Sequence, residues 1–328
     1  ARPSPLVGRA DDLAALRACA GQARLVTVLG TGGVGKTRLV AELLAGDPGP
    51  PVPTVVVELA SAGPGDAVAA VGAALGYRAG PADVSAVVDA LGDEPLWVVL
   101  DNCEHVVEAV PPLVRAAIVA RPAVSFVATS RTRLGLPDEH VLPLQPVATA
   151  GEGAPATRLF AECVRRAGPR ADVGFDDERV RAVCARLDGL PLAIELAAGR
   201  AAVFGLDALV GPQGPAADLL TAPGPVGDAR HAGLRSVVEW SHALLDPPAR
   251  RLLAMCSVFE GDFTLADAVA VAGPRLGGDV TAALGGLVDT CMVALGAGPG
   301  QFRLLETIRW FATEQLRDGG DTGDADAA

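Results

Sequence analysis

Apolar positions along this chain follow two regimes. From Arg24 to Leu144, short runs rich in Val, Leu and Thr alternate with stretches of helical spacing. Arg24–Leu29 predicts a buried strand that runs into Gly30, and Lys36–Ala45 predicts a helix. Val52–Leu59, behind Pro-rich punctuation, predicts a second strand, followed by helices over Ala67–Leu75 and Val84–Leu91. Leu96–Leu100 ends at Asp101, and Val124–Ala128 ends at Thr129, Ser130 and Arg131; both read as strands, with a fifth over Val141–Leu144. A helix over Val106–Val119 lies between them, interrupted near its start by Pro111 and Pro112. Strands that alternate with helices predict a parallel five-stranded sheet covered on both faces, an α/β class.

After about Val147 the strand pattern stops. Ala156–Arg166, Asp177–Leu187 and Leu192–Val203 have helical spacing, and Pro212–Asp228, rich in Gly, Pro and Ala, reads as a linker. Helices follow over Leu234–Leu244, Pro248–Ser257, Leu265–Ala272 and Val280–Val288. Cys291–Leu295 and Gln301–Leu305, on either side of Gly296–Gly300, predict a β-hairpin, and Thr307–Arg317 a closing helix. Helices with a hairpin are the pattern of a winged helix. No internal repeat is visible. The expected organisation is a nucleotide-binding domain over 1–148, a helical domain over 149–228, a winged-helix domain over 229–318 and a disordered acidic tail over 319–328.

Composition sharpens this picture. The 328 residues allow two or three domains at about 150 residues each. Half of them are apolar and few are aromatic, so the cores are built from Ala, Val and Leu. A formal charge of -12 argues against gripping DNA by bulk charge. Of 27 basic residues a single one is lysine, Lys36. The six cysteines are scattered without a C-x-x-C pair, which fits free thiols in a reducing cytoplasm. No apolar stretch is long enough to span a membrane, and no signal pattern opens the chain. A cytoplasmic piece of a longer protein is expected.

The lone lysine stands in Gly30-Thr31-Gly32-Gly33-Val34-Gly35-Lys36-Thr37, which matches G-x-x-x-x-G-K-[ST] between a predicted strand and a predicted helix. Glycines let the backbone wrap a phosphate with its N–H groups inward, and the following helix adds its N-terminal dipole. Lys36 is expected at the β- and γ-phosphates, and Thr37 at Mg²⁺. Leu96–Asp101 has the form of a Walker B strand, with Asp101 on the metal side. Asn102 stands where many ATPases carry a second acid; an amide can orient water but cannot take its proton. Glu104, nearby, reads either as a helix-start carboxylate or as a substitute base. Arg131 could reach a γ-phosphate or be a surface arginine. With no second lysine the chain lacks an N-K-x-D guanine reader, which favours ATP or ADP.

Four ordered strings, Leu6-Val7-Gly8-Arg9, Leu100-Asp101-Asn102-Cys103-Glu104-His105, Ala128-Thr129-Ser130-Arg131 and Gly189-Leu190-Pro191-Leu192, accompany the P-loop. Together they resemble the NB-ARC type of STAND P-loop ATPase, in the version found in large bacterial SARP-type and LuxR-type transcriptional regulators. The resemblance implies an α/β domain, a helical domain and a winged helix around one nucleotide. It implies Val7 and Arg9 at the adenine, Pro191 capping the base, Arg131 as a sensor, and Gly32, Gly33, Val34, Gly35, Lys36, Thr37 and Arg38 around the phosphates. The family often carries Met-His-Asp where this chain has Leu304-Leu305-Glu306; Arg303 or Arg309 are candidates to replace that histidine, or the resting form is held less firmly.

The function expected from all this is a slow ATPase that acts as a nucleotide switch, closed with ADP and self-associating with ATP. DNA would be reached only through a domain absent from this chain. The stretch Leu265–Val280 offers Arg275 as its only base, against Asp267 and Asp279, so it makes a poor DNA reader. An active AAA-type ATPase and a nucleotide-locked scaffold are the alternatives.

Overall fold

The computed structural model describes residues 6–46, 49–60, 62–63, 65–78, 83–167, 178–206, 209, 234–243, 245–276, 278–296 and 298–318. The expected linker over Pro212–Asp228 and tail over 319–328 lie outside them. By contacts the chain divides into two units, Ala1–Gly30 with Gly35–Gln145, and Thr31–Val34 with Pro146–Ala328.

The first unit is built on five strands, β1 (Leu25–Leu29), β2 (Thr54–Glu58), β3 (Leu96–Asp101), β4 (Val124–Ser130) and β5 (Glu139–Pro143). They pair in the order β2-β3-β4-β1-β5, all parallel. Five helices, α1 (Ala10–Ala20), α2 (Lys36–Ala45), α3 (Ala67–Ala74), α4 (Val84–Ala90) and α5 (Val110–Ala120), connect and cover them. Val98, Leu100, Phe126 and Ala128 of the central strands are buried with Leu113, Val114 and Ala117 of α5. Each large aliphatic or aromatic side chain so buried stabilises the unit by roughly 1.5–3 kcal/mol.

Two local readings need revision. The helix expected from Val106 begins at Val110, after a 3₁₀ turn over Cys103–His105. Pro111 and Pro112 stand in its first turn, where a missing N–H costs nothing, so they start the helix rather than interrupt it. α1 had no strong periodic signal: it is Ala-rich, with only Leu16 and Ala20 buried.

In the second unit, α6 (Pro155–Ala167) packs on α7 (Glu178–Arg186) and α8 (Pro191–Phe204). Then come α9 (Leu234–Ala243), α10 (Pro247–Met255), α11 (Leu265–Leu276), α12 (Val280–Asp289) and α13 (Glu306–Asp318). α10 packs against α11, α12 and α13. The expected hairpin is present as β7 (Ala294–Leu295) and β8 (Gln301–Arg303), antiparallel to each other. A third strand, β6 (Phe263–Thr264), pairs with the other side of β8 and was not foreseen.

Candidate functional site: a phosphate loop at the sheet edge

A parallel sheet brings the ends of its strands to one edge, and the loops leaving that edge form the crevice where α/β folds bind ligands. Here β1 ends at Leu29, in register with Ser130 of β4, and Leu100 of β3 lies opposite Ala128. The loop after β1, the carboxylate ending β3 and the arginine following β4 therefore emerge side by side.

The loop itself has the backbone that its sequence demands. Gly33 and Gly35 hold φ of +80° and +100°, the left-handed region that disfavours any residue with a Cβ. Gly35 occupies the N-cap position of α2, and its carbonyl takes the first helical bond, from the Leu39 N–H at 2.9 Å. Lys36 is 8% exposed and donates from Nζ to the Gly30 carbonyl at 2.7 Å. The single ammonium of the chain is thus folded back over the loop, where its charge adds to the dipole of α2.

Thr37 donates from Oγ1 to Asp101 Oδ1 at 2.8 Å. Thr129 donates to the same oxygen at 2.5 Å and accepts from the Asn102 N–H at 2.9 Å. Thr129 was missed in the sequence as a site residue: nothing local marks it, and only the pairing of β3 with β4 puts it there. Its hydroxyl ties the Asp101 carboxylate to the turn that follows. Asn102 has φ of +70°, a conformation that Asn tolerates better than most residues. The Thr37 hydroxyl and the Asp101 carboxylate make a hard oxygen pair, the donor chemistry that Mg²⁺ prefers.

Arg131 and Glu104 meet at 2.8 Å, Nε to Oε1, with side chains 7% and 0% exposed. Neither oxygen of Glu104 accepts a hydrogen bond among the described residues, so the contact is an ion pair without an aligned N–H···O. Next to it, burial first and then the charges of Glu104, Asp101 and Glu139 push the Cys103 thiol well above its usual value. That thiol stays protonated and is no nucleophile.

Val7 stands in a turn before α1, and Arg9 is buried at the N-cap of α1, bound to Asp12 at 2.9 Å. Gly32 is buried, while Arg38 is half-buried in the first turn of α2. In the second unit Pro191 opens α8 at a position that suits proline. Gly189 before it has φ of +65°, and a Cβ there would come within 2.0 Å of the Val147 carbonyl oxygen. Leu305 is buried, and Arg303 pairs with Asp262 at 2.5 Å. Asp188 accepts at Oδ2 from the Thr307 N–H at 3.4 Å, a contact between the turn before α8 and the first turn of α13.

No protein-family model matches the chain. A protein of Mycobacterium tuberculosis (strain ATCC 25618 / H37Rv) named "Uncharacterized protein Rv0894" is 31% identical over 336 residues, which cover 96% of this chain and 82% of that protein. The chain belongs to the family of Rv0894. A second relative from the same organism, "Putative HTH-type transcriptional regulator Rv0890c", is 35% identical over 327 residues, 95% of this chain. The chain spans 35% of the length of Rv0890c. Among solved structures, the Walker-type ATPase PABY2304 of Pyrococcus abyssi matches with a TM-score of 0.55 at 12% identity, over 94% of this chain and 95% of that one. At that identity the likeness concerns the fold alone. No helix among the described residues is long and apolar enough to cross a membrane.

Proposed function

We propose that this chain is an adenine-nucleotide switch of the NB-ARC type, the central module of a signal-dependent bacterial transcriptional regulator. One observation carries the reading. A buried lysine lies over a glycine loop at the N-terminus of α2, and Thr37 and Asp101 meet beside it at 2.8 Å. Lys36, the loop N–H groups and Arg38 would hold the phosphates of ATP or ADP. Thr37 and Asp101 would hold Mg²⁺, which would supply charge neutralisation on the phosphate oxygens. Val7 and Arg9 would face the adenine, and Pro191 would cap it. The domains would divide as 1–148, 149–228 and 229–318, the last a winged helix.

Asn102 supports a switch over an AAA-type motor. An amide beside Asp101 cannot take a proton from water, and the nearest acid along the chain, Glu104, is buried against Arg131. Hydrolysis is then slow, and nucleotide identity acts through its difference in affinity for two forms. ADP would favour a compact form and ATP one that self-associates. DNA would be bound by another part of the longer protein, as the size and name of Rv0890c suggest.

Light scattering of the purified chain with ADP and then with ATP tests the reading. A larger particle with ATP, with turnover slower than about one per minute against typical enzyme values near 10 per second, is expected. Rapid multiple turnover would instead support the motor, and an unchanged particle size would support a scaffold.

A further inference from the structure

Resting on the nucleotide reading, we infer that Glu104 is the resting counter-ion of Arg131, and that a γ-phosphate must compete with it for the guanidinium. A carboxylate with no exposed surface and no hydrogen bond to either oxygen needs a compensating charge beside it. Arg131 supplies that charge at 2.8 Å. The position of Arg131 makes the arrangement consequential. It directly follows Ser130, whose carbonyl accepts from the Gly30 N–H at 3.3 Å, so the arginine leaves the sheet beside the phosphate loop. Glu104 reaches it from the turn after β3, because β3 and β4 are neighbours.

Two consequences follow from Coulomb attraction alone. While Glu104 neutralises the guanidinium, a third phosphate gains little from Arg131, and ATP is preferred over ADP only weakly. When the carboxylate is removed, Arg131 loses the attraction of that charge, and the γ-phosphate gains more from the guanidinium. Glu104 is therefore a positioning residue that sets how strongly the site distinguishes ATP from ADP. It is not a base for hydrolysis.

The test is isothermal titration of the whole chain with ADP and with the non-hydrolysable AMP-PNP, each with Mg²⁺. The variants are Glu104→Gln, Glu104→Asp, Arg131→Gln and the double Glu104→Gln/Arg131→Gln. Glu104→Gln is expected to raise the preference for AMP-PNP over ADP about tenfold, within the usual range of coupling between sites. Glu104→Asp keeps the charge one methylene further away and is expected to raise it by roughly threefold; this variant serves if the glutamine variant fails to fold. In the Arg131→Gln background the Glu104→Gln change is expected to have no effect on that preference. A preference unmoved or lowered by both Glu104 substitutions overturns the inference, as does an effect that persists without Arg131. Wild-type protein that binds neither nucleotide would refute the nucleotide reading itself, which separates the two failures.

Discussion

Among the described glycines outside the phosphate loop, Gly189 is the position where a single methyl group should do the most damage. Its φ of +65° already penalises alanine, by about 1–2 kcal/mol for a left-handed residue with a Cβ. The added carbon would lie 2.0 Å from the Val147 carbonyl oxygen, well inside van der Waals contact and against backbone, which cannot rotate away. Relieving such overpacking costs roughly 1–3 kcal/mol. The shift would also strain the bond from the Val147 N–H to the Gly189 carbonyl, now 3.0 Å, worth about 1 kcal/mol. Gly189→Ala is thus expected to destabilise the second unit by about 3–6 kcal/mol, a fall of roughly 6–24 °C in its melting temperature. Urea unfolding followed by circular dichroism measures this, with and without ADP. The geometry is local to the Val147–Gly189 contact, so the loss should be similar in both conditions. A loss below about 1 kcal/mol would refute the steric reasoning. A loss seen only with nucleotide would show that the ligand, and not packing, demands this glycine.

Thr129→Val keeps the shape of the side chain but leaves the Asn102 N–H without its acceptor and Asp101 with one donor fewer. A cost of roughly 1–2 kcal/mol in urea unfolding is expected, together with weaker Mg²⁺-dependent nucleotide binding; wild-type values for both would remove Thr129 from the site. Burial pushes the Cys184 and Cys256 thiols from 9.0 up to about 12. The folded state therefore binds more protons than the unfolded chain between those values, and the stability this provides is complete below pH 9 and is lost as the pH rises towards 12. Each thiol steepens the fall by up to about 1.4 kcal/mol per pH unit, so Cys184→Ala and Cys256→Ala should each flatten an alkaline denaturation profile. Profiles parallel to wild type would show that the thiols ionise alike in both states.

Much of the first unit was legible in the sequence because its signals are local. A glycine loop of fixed spacing dictates its own backbone, and β-branched runs bounded by turns dictate strands. Four of the five strands overlap their expected ranges almost throughout, and β5 starts two residues early. What the sequence hid depends on pairing between distant segments. Thr129 acquires a role only when β4 lies beside β3. Glu104 and Arg131 are 27 positions apart, and the sequence offered Glu104 as a cap or a base; the same strand pairing turns it into a counter-ion. β6 is two residues long and becomes a strand only by bonding to β8. α1 escaped notice because alanines around a few leucines draw no apolar stripe. Pro111 and Pro112 misled for the opposite reason: a proline pair is a breaker inside a helix and a starter in its first turn.

The Lys36 ammonium is the group on which the nucleotide reading turns, and its removal is the most direct measurement. Lys36→Met preserves the buried stem, and circular dichroism can confirm that the fold is retained. Isothermal titration with ADP and Mg²⁺ should then show an affinity reduced by about ten- to a hundredfold, the loss of one charge-assisted contact to phosphate. An affinity equal to that of the wild-type chain would mean that phosphate binds elsewhere or not at all, and the switch would have no site.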